Sequence, residues 1–175
     1  MMERLRRREK GFTLIELLIV VAIIGIIAAL LIPNFLDALQ KAKQKRTVAD
    51  MRNVGTAQMS WLTDQVGAAA AGQAVTTISL SQYGAEVDHA NLISLLVPQY
   101  IQDIPQRDGW KQDYLYYLQT NNVLAQNVMA ICSKGRDNAG CGGTAYTASP
   151  FDPTEYPQDI LWADGFFVRW PQKVT

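Results

Sequence analysis

The chain has 175 residues, with 16 Lys and Arg set against 16 Asp and Glu for a formal net charge of zero. A balanced charge excludes a general attraction to nucleic acid or to anionic lipid. The two cysteines and one histidine do not supply the ligands a zinc site needs, and once the apolar N-terminal run is set aside the length suffices for one modest domain.

Five basic residues come first, Arg4, Arg6, Arg7, Arg8 and Lys10, opposed only by Glu3 and Glu9. Residues 11–33 then form an apolar run of membrane length. As a helix rising 1.5 Å per residue, Phe12 to Ile32 covers roughly 30 Å, the thickness of a bilayer core. The leading basic cluster favours a cytoplasmic N-terminus, while Lys41, Lys43, Lys45 and Arg46 on the far side weaken that asymmetry. The arrangement is similar to a secretory signal peptide, but the run is too long for the apolar core of one and no Ala-x-Ala-like site closes it. One carboxylate, Glu16, sits near its start. A charge at helix-centre depth costs about 2.5–3.5 kcal/mol on insertion scales, so an acid inside a span points to function. Plain anchoring explains the length of the run and leaves Glu16 unexplained. Gly25 and Pro33 interrupt the pattern: proline removes a backbone donor and glycine weakens a helix. They mark either a segment that loosens or, for Gly25, a place of close helix packing.

Past Pro33, Val48, Met51, Gly55, Met59 and Leu62 recur at spacings of three and four, which predicts an apolar helix face. The basic residues before and among them form a solvated face. One long helix is expected from about Thr13 to Gln65. Gly67 to Ala74 is small and of low complexity and reads as a loop. Val75 to His89 carries little signal, and His89 reads as a surface residue. Asn91 to Leu96 predicts a short helix stopped by Pro98. Asp113 to Gln119, a turn at Asn121-Asn122 and an apolar stretch from Val123 to Cys132 predict an antiparallel hairpin, with Tyr114, Tyr116 and Tyr117 divided between its faces. A second hairpin is expected where Ile160–Ala163 and Phe166–Trp170 flank Asp164-Gly165, with Trp162, Phe166, Phe167 and Trp170 supplying large apolar bodies. Cys132 and Cys141 are either bridged, if this part is exported, or free thiols. The expected fold class is α+β, a long N-terminal helix packed on a small antiparallel sheet. No nucleophile–base set, phosphate loop or metal–histidine cluster supports an enzyme.

The passage Lys10-Gly11-Phe12-Thr13-Leu14-Ile15-Glu16, with the basic leader before it and Gly25 and Pro33 after it, resembles the type IV filament superfamily, the type IV pilins and the pseudopilins of type II secretion. The resemblance implies a pilin-like roll. It implies that a prepilin peptidase cuts between Gly11 and Phe12 and N-methylates Phe12. It divides the chain into a leader (1–11), a transmembrane and polymerisation helix (12–33), a periplasmic half of the long helix (34–66) and a globular head (67–175). Glu16 then lies about one helical turn from the freed amine and meets that amine within a subunit or on a neighbour, the second arrangement guiding docking. The implied partners are further copies, other pilins or pseudopilins, the peptidase, an inner-membrane assembly platform and lipid. The implied location is the bacterial inner membrane, single-pass with a periplasmic head, or the cell surface for a true pilus.

Three passages are similar to the major pseudopilin of type II secretion: Tyr100–Pro105 followed by Asp108-Gly109-Trp110, then Tyr114-Leu115-Tyr116, then Ser133-Lys134-Gly135-Arg136-Asp137 with Gly142-Gly143 and Asp159-Ile160. In that subfamily the last passage is a calcium loop. The resemblance therefore implies a calcium site of Ser133, Asp137 and Asp159, in keeping with the ion's preference for carboxylate, carbonyl and hydroxyl oxygens. The alternative is an ordinary polar turn. Asn138, the Cys132/Cys141 pair and the insertion carrying Asp152, Pro153, Glu155 and Pro157 depart from that pattern. The expected function is a pseudopilus subunit that drives protein export, with no nucleic acid involved. The alternatives are a type IV pilus subunit for adhesion, motility or DNA uptake, and a monomeric anchor for a binding domain.

Overall fold

A computed structural model describes residues 11–66, 77–123, 125–142 and 145–173. The expected leader before Gly11, the loop expected at Gly67–Ala74, and Gly143 lie outside the described residues. By internal packing the chain divides into two units, Met1–Leu39 and Gln40–Thr175. Helix α1 runs Leu14–Val66 with Pro33 inside it, close to the bounds the apolar pattern predicts.

Within the second unit, α1 turns one stripe inward: Gln44, Thr47, Met51, Val54, Ala57, Gln58, Trp61 and Leu62 are buried. Of the predicted face, Met51, Gly55 and Leu62 are buried, while Val48 and Met59 are half-buried. The remaining elements are β1 (Thr77–Ser79), α2 (His89–Leu96), β2 (Leu115–Leu118), β3 (Met129–Ser133), β4 (Ala145–Thr147), β5 (Ser149–Phe151), β6 (Ile160–Ala163) and β7 (Phe166–Pro171). Helix α2 starts where the Asp88 carboxylate accepts from Ala90 N, and it ends at an extended Val97, the conformation that a following proline imposes.

Five strands form one sheet in the order β2-β3-β6-β7-β5, and β1 pairs with β4 in a second, two-stranded sheet. Strands β2/β3, β3/β6 and β6/β7 are antiparallel. The α+β class and the antiparallel sheet are as expected, with one exception, because β5 and β7 run parallel. Strand β6 lies between them in sequence, and two reversals of direction restore the first one. The first hairpin also differs from expectation. Its second strand begins at Met129, so a connection through residues 119–128 replaces the tight turn at Asn121-Asn122. The second hairpin forms as predicted, with Asp164 at φ 44° and Gly165 at φ 100°, the left-handed pair that a two-residue turn demands.

Strands β3 and β6 are buried along their whole lengths, so both faces of the sheet are covered. The strand alternation sorts their side chains. Met129, Ile131, Ile160 and Trp162 join Met51, Val54 and Trp61 of α1 in one core. Ala130, Cys132, Leu161 and Ala163 face a smaller core on the opposite side with Leu80 and Tyr83. The tyrosines divide as expected, with Tyr114 and Tyr116 in the first core and Tyr117 in the second. Gly55 permits a close approach of α1 to β6: a Cβ there would stand 2.6 Å from the Trp162 ring.

Two carboxylates organise the loops. Asp108, 3% exposed, accepts from Trp110 N at 2.8 Å, Gln112 N at 2.9 Å and Ser133 Oγ at 2.7 Å. That loop is seated on α1. Gly109 N donates to Thr47 Oγ1 at 3.0 Å and Trp110 Nε1 to Gln40 Oε1 at 2.7 Å, and a Cβ at Gly109 would lie 2.7 Å from the Lys43 carbonyl carbon. At the other end, Asp164 accepts from Val128 N, Met129 N and Tyr83 Oη. Burial raises the Asp164 carboxyl above its ordinary value against these hydrogen bonds, and burial beside that charge raises the Tyr83 hydroxyl.

Candidate functional site

The first turn of α1 is a capping box. Glu16 accepts from Thr13 N and Thr13 Oγ1, both at 2.8 Å, and Glu16 N donates to Thr13 Oγ1 at 3.3 Å. A Thr-x-x-Glu spacing produces this reciprocal pair and satisfies helix-end donors that otherwise go unbonded. The acid is therefore held at the mouth of the helix, beside Gly11 and Phe12. Both of those are exposed, Phe12 at 83%. From Leu14 to Leu39 the large apolar side chains are exposed as well, an area far beyond what a soluble surface carries without a partner or a membrane. Among the described residues, α1 is the helix long and apolar enough to cross a membrane. Gly25 lies on it with nothing within 4 Å of where a Cβ would be. Pro33 withholds a backbone donor, and next to it Asn34 Nδ2 donates to Leu30 O at 3.2 Å. The residues expected to serve processing and assembly, Gly11, Phe12, Glu16, Gly25 and Pro33, thus share one continuous apolar segment.

The second candidate lies in the head. Asp137 and Asp159 line one open cavity of about 500 Å³ together with Gly140, Tyr146, Ser149 and Arg169. Asp159 Oδ2 accepts from Tyr146 Oη at 2.5 Å and Cys141 N at 3.2 Å, and Asp137 Oδ1 accepts from Ala139 N at 3.1 Å. Burial raises the Asp159 carboxyl above its ordinary value, the Tyr146 and Cys141 donors oppose this, and the Asp137 charge adds to it. Cys132 and Cys141 form a disulfide with Cα atoms 6.1 Å apart, joining β3 to the loop beside Asp159.

Tested against a calcium ion, this donor set does not fit. Ser133, the third expected ligand, is fully buried, donates its hydroxyl to Asp108 and does not line this cavity. Gly140, at φ 96°, presses its backbone on the Asp159 carboxylate, where a Cβ would fall 2.6 Å from Oδ1. Arg169 brings a guanidinium into the same cavity. Calcium takes six to eight oxygens, and these residues present two carboxylates already engaged with protein donors. Sequence reasoning did not find Tyr146 or Arg169. Their convergence depends on the β1/β4 and β5/β7 pairings, which no local pattern announces.

Comparison with known proteins places these observations in a family. The prokaryotic N-terminal methylation motif matches residues 6–32. The type IV major pilin protein PilA of Myxococcus xanthus is 47% identical over 62 residues, 35% of this chain and 28% of that protein. The type II secretion system core protein G of Aeromonas hydrophila is 44% identical over 46 residues, 26% of this chain and 32% of that protein. The core protein G of Klebsiella pneumoniae is 30% identical over 110 residues, 62% of this chain and 74% of that protein. The chain thus spans less than a third of the length of the first two, and no solved structure matches it. A methylation motif on an exposed apolar helix, continued by a helix-on-sheet head and by a relative covered over most of its length, shows that this chain belongs to the type IV pilin-like family.

Proposed function

We propose that the chain is a structural subunit, without catalytic activity, of a type II secretion pseudopilus. Before assembly it is anchored in the inner membrane by the apolar part of α1, with the head in the periplasm. A prepilin peptidase removes the leader between Gly11 and Phe12 and methylates the new N-terminus. Subunits then leave the lipid and stack their apolar helices through contacts that repeat without closing, the geometry that yields a helical filament. Glu16 caps its own helix in the unprocessed chain. Cleavage places a cation within one turn of it, and the carboxylate exchanges Thr13 for that amine or for the amine of a neighbouring copy.

The observation that carries the pseudopilus reading is the 110-residue alignment with the Klebsiella core protein G. It is longer than everything up to the end of α1 at Val66 and therefore reaches into the head. A type IV pilus subunit is the second reading, favoured by the 47% identity with the Myxococcus pilin over 62 residues. Shearing cells and probing the supernatant separates the two. A pseudopilus leaves the subunit with the cells and its deletion stops export of secreted proteins, whereas a pilus appears in the sheared fraction. Glu16→Ala tests assembly itself: the variant is expected to reach the membrane, lose its leader and fail to enter filaments. Normal filaments from that variant would refute the assembly role of Glu16, whereas a wild-type chain that stays monomeric in the membrane would leave a monomeric anchor as the better account.

A further inference from the structure

We propose that Arg169, together with Tyr146 and the Cys132–Cys141 bridge, takes the place of a metal ion beside Asp159, so that this head closes its Ser133–Asp159 loop without calcium. The inference goes beyond the filament role and holds for a pseudopilin and a pilin alike.

Arg169 is fixed rather than free. Its two terminal nitrogens donate to Ser149 Oγ and Gln158 Oε1, each at 2.8 Å, and its guanidinium lies 5.6 Å from the centroid of the Phe151 ring. The register of β5 on β7 sets it there, with Ser149 opposite Arg169. Asp159 receives a hydroxyl from β4 and an amide from the bridged loop, and the Gly140 backbone covers the carboxylate. The charges agree. Asp137 and Asp159 carry two negative charges and Arg169 one positive, leaving one negative; a divalent ion in the same cavity would leave one positive charge next to a fixed guanidinium. The loop that a cation would gather is instead held by a covalent link at Cys141, by two donors on Asp159 and by the arginine fork.

The test is thermal unfolding of the full-length protein in detergent micelles, with calcium chloride or a chelator as the only variable. For the wild type the midpoint is expected to stay within about 1 °C between chelator and millimolar calcium, because a ligand that does not bind the native state cannot shift it. Arg169→Gln is expected to melt lower in chelator and to recover part of the loss in calcium, since the cavity is then left with two carboxylates and no cation. Arg169→Lys keeps the charge and is expected to ignore calcium. A wild-type midpoint that rises by several degrees in calcium overturns the proposal. So does an Arg169→Gln variant that calcium leaves unchanged. If Arg169→Gln fails to fold, the wild-type and Arg169→Lys arms still decide.

Discussion

Replacing Gly55 with alanine sets two effects of opposite sign against each other. In the interior of α1, alanine is favoured over glycine by about 1 kcal/mol through backbone entropy. At this position, however, the new methyl would stand 2.6 Å from Cε2 and Cζ2 of Trp162 and 2.9 Å from Cδ2. Trp162 is 4% exposed and sits in the buried strand β6, so its ring has no open space to move into. Forcing an extra carbon into a filled core costs about 1–3 kcal/mol. At a separation this short the cost falls in the upper part of that range, about 2–3 kcal/mol, so packing wins: Gly55→Ala is expected to destabilise the head by about 1–2 kcal/mol and to lower its midpoint by several degrees. Circular dichroism melts of the full-length protein in detergent measure it, and the near-ultraviolet tryptophan signal should change with it. In a Trp162→Leu background the obstruction is gone, and the same substitution should become neutral or stabilising by up to about 1 kcal/mol, a coupling that a double-mutant cycle isolates. If Gly55→Ala raises the midpoint in the wild-type background, the claim that glycine is there to seat α1 on the sheet is wrong.

Asp108→Ala strips the acceptors from Trp110 N, Gln112 N and Ser133 Oγ at a buried site. With about 1–3 kcal/mol lost for each donor left unbonded, a denaturant titration should show a loss of at least about 3 kcal/mol, with Asp108→Asn retaining part of it. Burial raises the Asp164 carboxyl in the folded head, so the folded state binds its proton more tightly than the unfolded chain does. The resulting stabilisation is complete below the ordinary aspartate value of about 3.9 and is lost as pH rises through the raised one. Melting across that range should show the wild type falling relative to Asp164→Asn, and parallel pH profiles would refute the assignment.

Much of this was legible because its physics is local. The apolar run fixes the bounds of α1 to within a residue, the Asp164-Gly165 turn announces β6 and β7, and the tyrosines of β2 alternate as a strand must. The capping role of Glu16 was also present in the Thr-x-x-Glu spacing, although the acid draws attention first as a charge inside an apolar run. What the sequence hid is non-local. The parallel pairing of β5 on β7, the seating of Leu80 and Tyr83 beneath the sheet, and the convergence of Tyr146, Asp159 and Arg169 join segments that no periodicity connects. Ser133 shows the converse hazard: its type suits a calcium loop, but Asp108 captures the hydroxyl first.

The strand order carries a consequence for how the molecule is made. Strand β3 has β6 on its open side, and β5 has β7 as its sole neighbour in the large sheet, so a nascent chain synthesised only as far as Phe151 holds two sheet fragments with nothing between them. The hairpin that joins them follows both in the chain and so is made after them. Until it arrives, the partly made head exposes unpaired edges, the condition under which chains associate wrongly, and loss of β6 and β7 would remove the keystone rather than trim a margin.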